Sequence, residues 1–462
     1  MPDLNQIIKA YDVRGIYPDQ LDAELAHRVG AAFVQVVGAA RAAGGPGAIV
    51  VGRDMRPSGP ELVAAFCAGA NGQGVDVVDI GLASTDQLYF AAGHLDLPGA
   101  MFTASHNPAQ YNGIKLCRAG ATPVGQDSGL ATIRDLVAEP IPAAPVVPGT
   151  ITTRDLLADY AGYLHGLVDL SGIRPLRVVV DAGNGMAGHT APAVLTAPAL
   201  AVVPLYFELD GNFPNHEANP IEPANLRDLQ AAVLAEGADL GLAFDGDADR
   251  CFVVDEHGAA VSPSALTGLI AVRELAEHPG APIIHNLITS AAVPEIVREH
   301  GGVPVRTRVG HSFIKAVMAQ SGAVFGGEHS GHFYFADFWR ADSGMLAALH
   351  TLAALGGTPA GTTLSGMLAP YERYAASGEI NSTVSDAPGA IARIRAAYEG
   401  EPEVTFDNLD GMTVTGTDWW FNVRPSNTEP LLRLNAEAAD GPAMEALRDR
   451  VLELIRGQGG HP

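Results

Sequence analysis

Three aspartates at every second position, Asp245, Asp247 and Asp249, follow an apolar run with only glycine and alanine between them, and Arg250 comes next. Carboxylates spaced in this way can turn their oxygens onto one hard cation. Oxygen-only ligation with an open position suits Mg²⁺, which keeps water or takes a phosphate oxygen. A calcium loop is the competing reading, and it calls for a bidentate glutamate seven residues beyond Asp249. Glu256 stands there, but residues 251–254 in between are an apolar strand rather than a ligating loop.

A second polar stretch, Thr103-Ala104-Ser105-His106-Asn107-Pro108, follows the apolar run 97–102. Pro108 restricts Asn107 to extended or turn geometry, so Ser105 is expected in a loop at a sheet edge, presented rather than buried. A serine is a weak nucleophile unless a base, a metal or an anion site activates it. Two more loops complete the inventory. Gly327-Glu328-His329-Ser330-Gly331-His332 offers a carboxylate, a hydroxyl and imidazoles that can grip vicinal sugar hydroxyls and move protons. Arg424-Pro425-Ser426-Asn427-Thr428 presents a guanidinium, two hydroxyls and an amide, the profile of a phosphate cradle, to which Arg308 and His311 can add positive charge. Serine, cation, sugar grip and remote phosphate anchor together define phosphoryl transfer through a phosphoserine.

The elements that carry these loops repeat one plan. The first segment runs through a helical stretch over 29–42, a strand at 48–51, a helix at 59–71, a strand at 75–80, the serine loop, a return strand at 113–117 and a helix at 130–137. Four prolines between 139 and 148 mark a connector. The second segment has strands at 177–180, 202–207 and 240–244, a helix at 226–236, the acidic loop and a return at 251–254. The third has strands at 282–284, 305–307 and 323–325, a helix at 312–320, the glutamate loop and a return at 333–335. Each polar loop falls between the last strand and its return, which reads as a threefold repeat of α/β units. The tail, with short strands and helices at 391–398 and 444–455, reads as antiparallel α+β. The expected domains are 1–150 with the phosphoserine loop, 151–254 with the metal loop, 255–369 with the sugar loop and 370–462 with the phosphate loop.

At 462 residues and 47% hydrophobic content, the chain has material for three or more cores. Its formal charge of −24 repels phosphate backbones and anionic lipid, which argues against nucleic-acid and membrane partners. Only Lys9, Lys115 and Lys315 are lysines; Lys115, ten residues past Ser105, stands out, whereas Lys315 reads as a surface charge. Cys67, Cys117 and Cys251 share no metal or disulfide spacing and read as small buried hydrophobes. The start lacks an apolar signal core, and the longest weakly polar run, 191–207, is broken by prolines, so a cytoplasmic protein is expected.

With its four motifs in this order, and with Ala10-Tyr11-Asp12-Val13-Arg14-Gly15 ahead of them, the chain resembles the α-D-phosphohexomutases, in particular the bacterial phosphomannomutase/phosphoglucomutase group, over its whole length. The resemblance implies three similar α/β/α domains plus a C-terminal α+β domain around a central cleft. It implies that Ser105 carries the phosphoryl group and that Asp245, Asp247, Asp249 and a serine-phosphate oxygen bind Mg²⁺. Glu328 and Ser330 would hold sugar hydroxyls, and Arg424, Ser426, Asn427 and Thr428 the non-reacting phosphate. Lys115 and His332 are the candidates for proton transfer, with Arg14 and Arg250 flanking the site. The implied activity is exchange of phosphate between C6 and C1 of mannose and glucose phosphates, with hexose 1,6-bisphosphate as intermediate and activator. Oligomeric state is left open between monomer and dimer. Relatives often carry lysine where this chain has Ile288, and again where it has Arg308 and Val309. His329 does not match the glutamine-containing loop of phosphoglucosamine mutases, which remain an alternative beside a metal-dependent phosphomonoesterase.

Overall fold

In the computed structural model, the apolar run near residue 50 becomes the strand Ala48–Arg53, buried at its four central positions. The structure describes residues 3–9, 11–40, 44–45, 47–425 and 431–457, with backbone only at 311 and 312. The chain packs as two compact units. One consists of residues 1–263, 318–320 and 330–367, the other of 264–317, 321–329 and 368–462.

In the first unit, Ala48–Arg53 lies at the centre of a sheet, parallel to Asp76–Leu82 on one side and to Gly99–Phe102 on the other. The chain then turns back as Tyr111–Arg118, antiparallel to Gly99–Phe102, and Val13–Ile16 pairs antiparallel with that return strand. The Ser105 loop is thus the connection of an antiparallel pair at the end of a parallel sheet. Asp22 starts the helix Ala23–Val36 by accepting from the Leu25 N–H. Leu25, Val29, Ala32 and Phe33, at helical spacing, are buried against Leu62 and Phe66 of the helix Gly59–Gly72. The expected helix over 29–42 begins earlier, at its cap. Past the proline connector, Ile151–Thr153 adds a parallel strand to the edge of this sheet.

A second sheet runs Cys251–Asp255, Leu240–Phe244, Leu176–Asp181, Leu200–Leu205, parallel except for the first pair. Leu240–Phe244 is buried at all five positions, as expected of a strand covered on both faces. The acidic loop connects it to its antiparallel return. Later in the chain, Phe333–Phe335 pairs antiparallel with Ala341–Asp342, and the apolar helix Gly344–Gly356 follows, capped by Ser343. Glu256, the residue a calcium loop would have used, instead accepts from the backbone N–H and hydroxyl of Ser365.

The second unit contains the parallel strands Val303–Thr307, Pro282–Asn286 and Phe325–Gly327. Its antiparallel sheet runs Ala375–Thr383, Leu431–Ala438, Trp419–Pro425, Met412–Thr415, Thr405–Asp407. Phe421 and Val423 face the core that this sheet shares with Ala390 and Ile394 of Ala387–Tyr398 and with Val451 and Ile455 of Gly441–Arg456. The alternate residues Asn422 and Arg424 are therefore turned to the other face. Lys315, expected at the surface, is buried. Among the described residues no helix is long and apolar enough to cross a membrane, and the three cysteines are buried and form no disulfide.

Candidate active site

The strand ends of the first unit bring the serine loop and the acidic loop together. Ser105 is 5% exposed, not presented to solvent as its loop position suggests. Its hydroxyl donates to Asp245 Oδ2 at 2.6 Å, across 140 positions of sequence, and lies 3.3 Å from His106 Nδ1. Both loops use left-handed backbone at non-glycine residues, Ser105 at φ 49° and Ala248 at φ 59°. Such residues persist only where their surroundings hold them. Gly246 shows how close the loops come: a Cβ there would stand 2.4 Å from the Ser105 carbonyl oxygen. Glycine is required at that contact.

Asp245, Asp247 and Asp249 are buried, and one oxygen from each falls in a cluster within 4.8 Å. Asp247 Oδ1 and Asp249 Oδ1 are buried without a hydrogen-bond partner. Buried ionised oxygens with no donor are costly unless a cation meets them, so the donor set fits a hard divalent ion. Lys115 Nζ donates to Asp247 Oδ2 at 2.7 Å and to Asp249 Oδ2 at 2.6 Å. Burial works against the ammonium, but Asp247 and then Asp249 outweigh it and hold its pKa well above the ordinary lysine value. Arg250 Nε donates to Asp245 Oδ2 at 2.9 Å. Arg14 reaches the serine loop through Asn107 Oδ1 and the Ala104 carbonyl and pairs with Asp12; Ala10, at the head of its motif, lies outside the described residues.

His332 bridges to Arg250 through the backbone and places Nδ1 2.9 Å from Asp342 Oδ2 and 3.8 Å from Asp249 Oδ1. Ser105, Lys115, Arg14, Arg250, His332 and the three aspartates are therefore gathered in one unit. Ser330, half-buried, belongs to this unit as well.

The remaining residues lie in the second unit. Glu328 is 2% exposed, and its Oε1 accepts from the Gly310 N–H at 3.3 Å. Arg308 is exposed and stacks on the Phe313 ring, 4.9 Å from its centroid. Arg424 Nη2 donates to Glu379 Oε2 at 2.6 Å, and Arg433 donates to Oε1 of the same carboxylate at 3.0 Å. Burial opposes ionisation of Glu379, but Arg424 outweighs it and keeps the carboxyl below its usual range. Ser426, Asn427 and Thr428, and the side chain of His311, lie outside the described residues.

Sequence reasoning missed the residue that holds the serine loop in shape. Arg56 is fully buried and spends its donors on that loop. Nη1 reaches the carbonyls of Pro108 and Tyr111 at 2.8 and 2.9 Å, and Nη2 those of Ser105 and Asn107 at 2.8 and 2.7 Å. Nε meets Asp54 at 3.2 Å. The signal available was the polar run Gly52-Arg53-Asp54-Met55-Arg56 at the end of a buried strand.

The sequence matches the family description phosphoglucomutase/phosphomannomutase in four parts: alpha/beta/alpha domain I over residues 5–141, domain II over 158–258, domain III over 263–374 and the C-terminal domain over 379–454. The chain belongs to this family, whose members transfer a phosphoryl group within hexose phosphates. It is 41% identical over 452 residues to "Phosphohexose mutases" of Xanthomonas campestris pv. campestris, covering 97% of this chain and 99% of that protein. It is 41% identical over 459 residues to a phosphomannomutase of Escherichia coli, at 97% and 98% coverage. A phosphomannomutase/phosphoglucomutase of Pseudomonas aeruginosa is 39% identical over 447 residues, at 96% and 94%. A crystal structure of a phosphoglucomutase/phosphomannomutase family protein from Burkholderia thailandensis superposes with a TM-score of 0.87 at 35% identity, covering 100% of this chain and 99% of that one. The enzyme is thus a phosphohexomutase isomerase with three α/β/α domains and a C-terminal domain, and its acidic cluster fits the family's metal dependence.

Proposed function

We propose that this enzyme interconverts hexose 6-phosphate and hexose 1-phosphate of both mannose and glucose, through phosphorylated Ser105 and a hexose 1,6-bisphosphate intermediate. One observation carries the reading: the Ser105 hydroxyl bonds at 2.6 Å to a member of a buried carboxylate cluster in which Asp247 Oδ1 and Asp249 Oδ1 have no hydrogen-bond donor. The free hydroxyl of the sugar phosphate attacks phosphorus, the P–O bond to Ser105 breaks, and the bisphosphate forms. After reorientation the Ser105 oxygen attacks the other phosphorus, and the sugar oxygen it releases takes back a proton.

The attacking hydroxyl needs a base. His332, oriented by Asp342 Oδ2 at 2.9 Å from its Nδ1, is assigned that role. Lys115, with Nζ on Asp247 and Asp249 at 2.7 and 2.6 Å, is the second candidate for proton transfer and a counter-charge to the cluster. Asp245, Asp247 and Asp249, with the phosphoserine oxygen, would hold the metal, which we take to be Mg²⁺. When bound, the ion polarises the phosphoryl group and offsets the charge of about −1.5 to −2 on the phosphoserine. Arg14 and Arg250 fix the serine and acidic loops. Glu328 and Ser330 are assigned to sugar hydroxyls, and Arg424, Ser426, Asn427 and Thr428, with Arg308 and His311, to the distant phosphate. A bisphosphate that escapes leaves Ser105 bare, so added hexose 1,6-bisphosphate re-primes the enzyme. Three buried cysteines without a disulfide accord with a reducing, cytoplasmic setting.

Glucose and mannose differ only at C2, and no residue of these loops is assigned to that position. The test is the ratio of kcat/KM for glucose 1-phosphate and mannose 1-phosphate on one sample with the same activator, with inorganic phosphate followed in parallel. A ratio within about a hundredfold, the scale of a 1–3 kcal/mol contact difference, is expected. Stoichiometric phosphate release would replace the mutase by a phosphomonoesterase. A preference beyond about ten-thousandfold would require a C2 reader.

A further inference from the structure

The helix Thr85–His94 opens on four successive polar residues, Ser84, Thr85, Asp86 and Gln87, none more than 1% exposed. Burying so many polar groups at one helix end is costly unless each bond made there has a purpose. Ser84 caps the helix by accepting from the Gln87 N–H. Asp86 is an anchor: it accepts from the Ser84 hydroxyl, from Tyr160 OH at 2.7 Å and from Ser343 Oγ at 2.6 Å, tying this turn to the helices Leu157–Leu167 and Gly344–Gly356. Thr85, held between these anchors, points its two donors at one residue of the acidic loop. Its backbone N–H meets the Asp247 carbonyl at 2.9 Å, and its hydroxyl meets Asp247 Oδ2 at 2.6 Å.

We propose that Thr85 is a positioning residue for the metal centre, selecting which oxygen of Asp247 is offered to the cation. With Thr85 and Lys115 both on Oδ2, that oxygen is saturated and the carboxylate plane is fixed. Oδ1, buried and without a partner, is the oxygen left to ligate. Groups that orient a ligand in this way are typically worth about 10- to 100-fold in metal affinity. Removing the hydroxyl lets the carboxylate rotate and lets Lys115 compete for both oxygens. The inference rests on the reading of Asp247 as a metal ligand.

The test is titration of dephosphorylated enzyme with Mn²⁺, following free ion by electron paramagnetic resonance, for the wild type, Thr85→Val, Thr85→Ala and Thr85→Ser. Thr85→Val and Thr85→Ala should raise the Mn²⁺ Kd by about 10- to 100-fold, and Thr85→Ser, which keeps the hydroxyl, should stay within about threefold of wild type. The concentration of Mg²⁺ giving half-maximal activity should rise in parallel, while kcat at saturating Mg²⁺ recovers. If Thr85→Val does not fold, Thr85→Ala decides. Equal Kd values in wild type and the folded hydroxyl-free variant would overturn the proposal, as would a Thr85→Ser enzyme as weak as Thr85→Ala. A wild type that binds no Mn²⁺ would overturn the metal reading itself, a result distinct from either.

Discussion

The two units treat their functional side chains differently. In the first, the serine and acidic loops are held from several sides: Arg56 carries four loop carbonyls, Lys115 spans two aspartates, and Ser105 is pinned to Asp245. In the second, Arg424 pairs with the carboxylate of Glu379, which it shares with Arg433, and Arg308 rests on an aromatic ring at the surface. Groups that form and break bonds must be held to fractions of an ångström, because small misplacements erode transition-state stabilisation. On the proposed reading, Arg424 and Arg308 grip a bisphosphate that must be released to reorient, and a counter-ion that can give up its partner serves that end better than a locked one. Damage to the serine and acidic loops should therefore fall on kcat or on the fold, and damage to the Arg424 ion pair on KM.

The largest effect should come from Ser105→Ala. Loss of the oxygen proposed to carry the phosphoryl group should lower kcat by about 10⁴-fold or more, measured by isomerisation of a labelled sugar phosphate, with thermal unfolding little changed. A rate within tenfold of wild type would end the phosphoserine mechanism. Next, excess chelator should abolish turnover and added Mg²⁺ should restore it, whereas circular dichroism stays constant; full activity in chelator would break the assignment of the three aspartates. Arg56→Ala leaves four loop carbonyls and Asp54 without their donor, and losing one partner of a buried charged pair costs about 3–5 kcal/mol. Urea unfolding should show a loss on that scale, and kcat should fall with it. A shift under about 1 kcal/mol would mean that the loop holds itself.

Arg424→Gln sharpens the other side of the comparison. The expected outcome is a KM raised by about tenfold, or 1.4 kcal/mol, with kcat within about threefold. A large loss of kcat at unchanged KM would place Arg424 with the reacting groups and blur the distinction between the units.

The smallest effects concern pH, where a buried group of each unit pulls in the opposite sense. Burial lifts the Asp86 pKa to about 6, against the hydrogen bonds from Ser343, Ser84 and Tyr160. The folded state therefore binds its proton more tightly than the unfolded chain, so Asp86 makes stability fall as pH rises from about 4 to 6. Burial lowers the His285 pKa to about 4. Here the unfolded chain takes up the proton first, so His285 makes stability fall as pH drops from about 6.5 to 4. Denaturant midpoints at pH 4.5 and 7 should move in opposite directions relative to wild type for Asp86→Asn and His285→Gln. Parallel shifts would contradict one of the two assignments.

Much of the site was legible before folding because it is written locally. A buried strand ending in Asp-Gly-Asp-Ala-Asp, a loop closed by Pro108 and a strand that returns need only nearest-neighbour physics. The observed pair Leu240–Phe244 and Cys251–Asp255 and the pair Gly99–Phe102 and Tyr111–Arg118 follow that reading closely. What the chain alone determined was therefore the order of the loops, the element that presents each and the chemistry its side chains can do. Tertiary structure decided who meets whom. Ser105 looked exposed because its loop is polar, yet it is buried by Asp245, a residue 140 positions away whose approach depends on Gly246. Arg56 looked like one more arginine in a basic-poor chain until four distant carbonyls converged on it. Thr85 and Asp86 looked like an ordinary helix start, and their partners at positions 247, 160 and 343 are set by how separate sheets and helices pack. Periodicity reports burial along one element, whereas a hydrogen bond between two loops depends on the packing of every element that carries them.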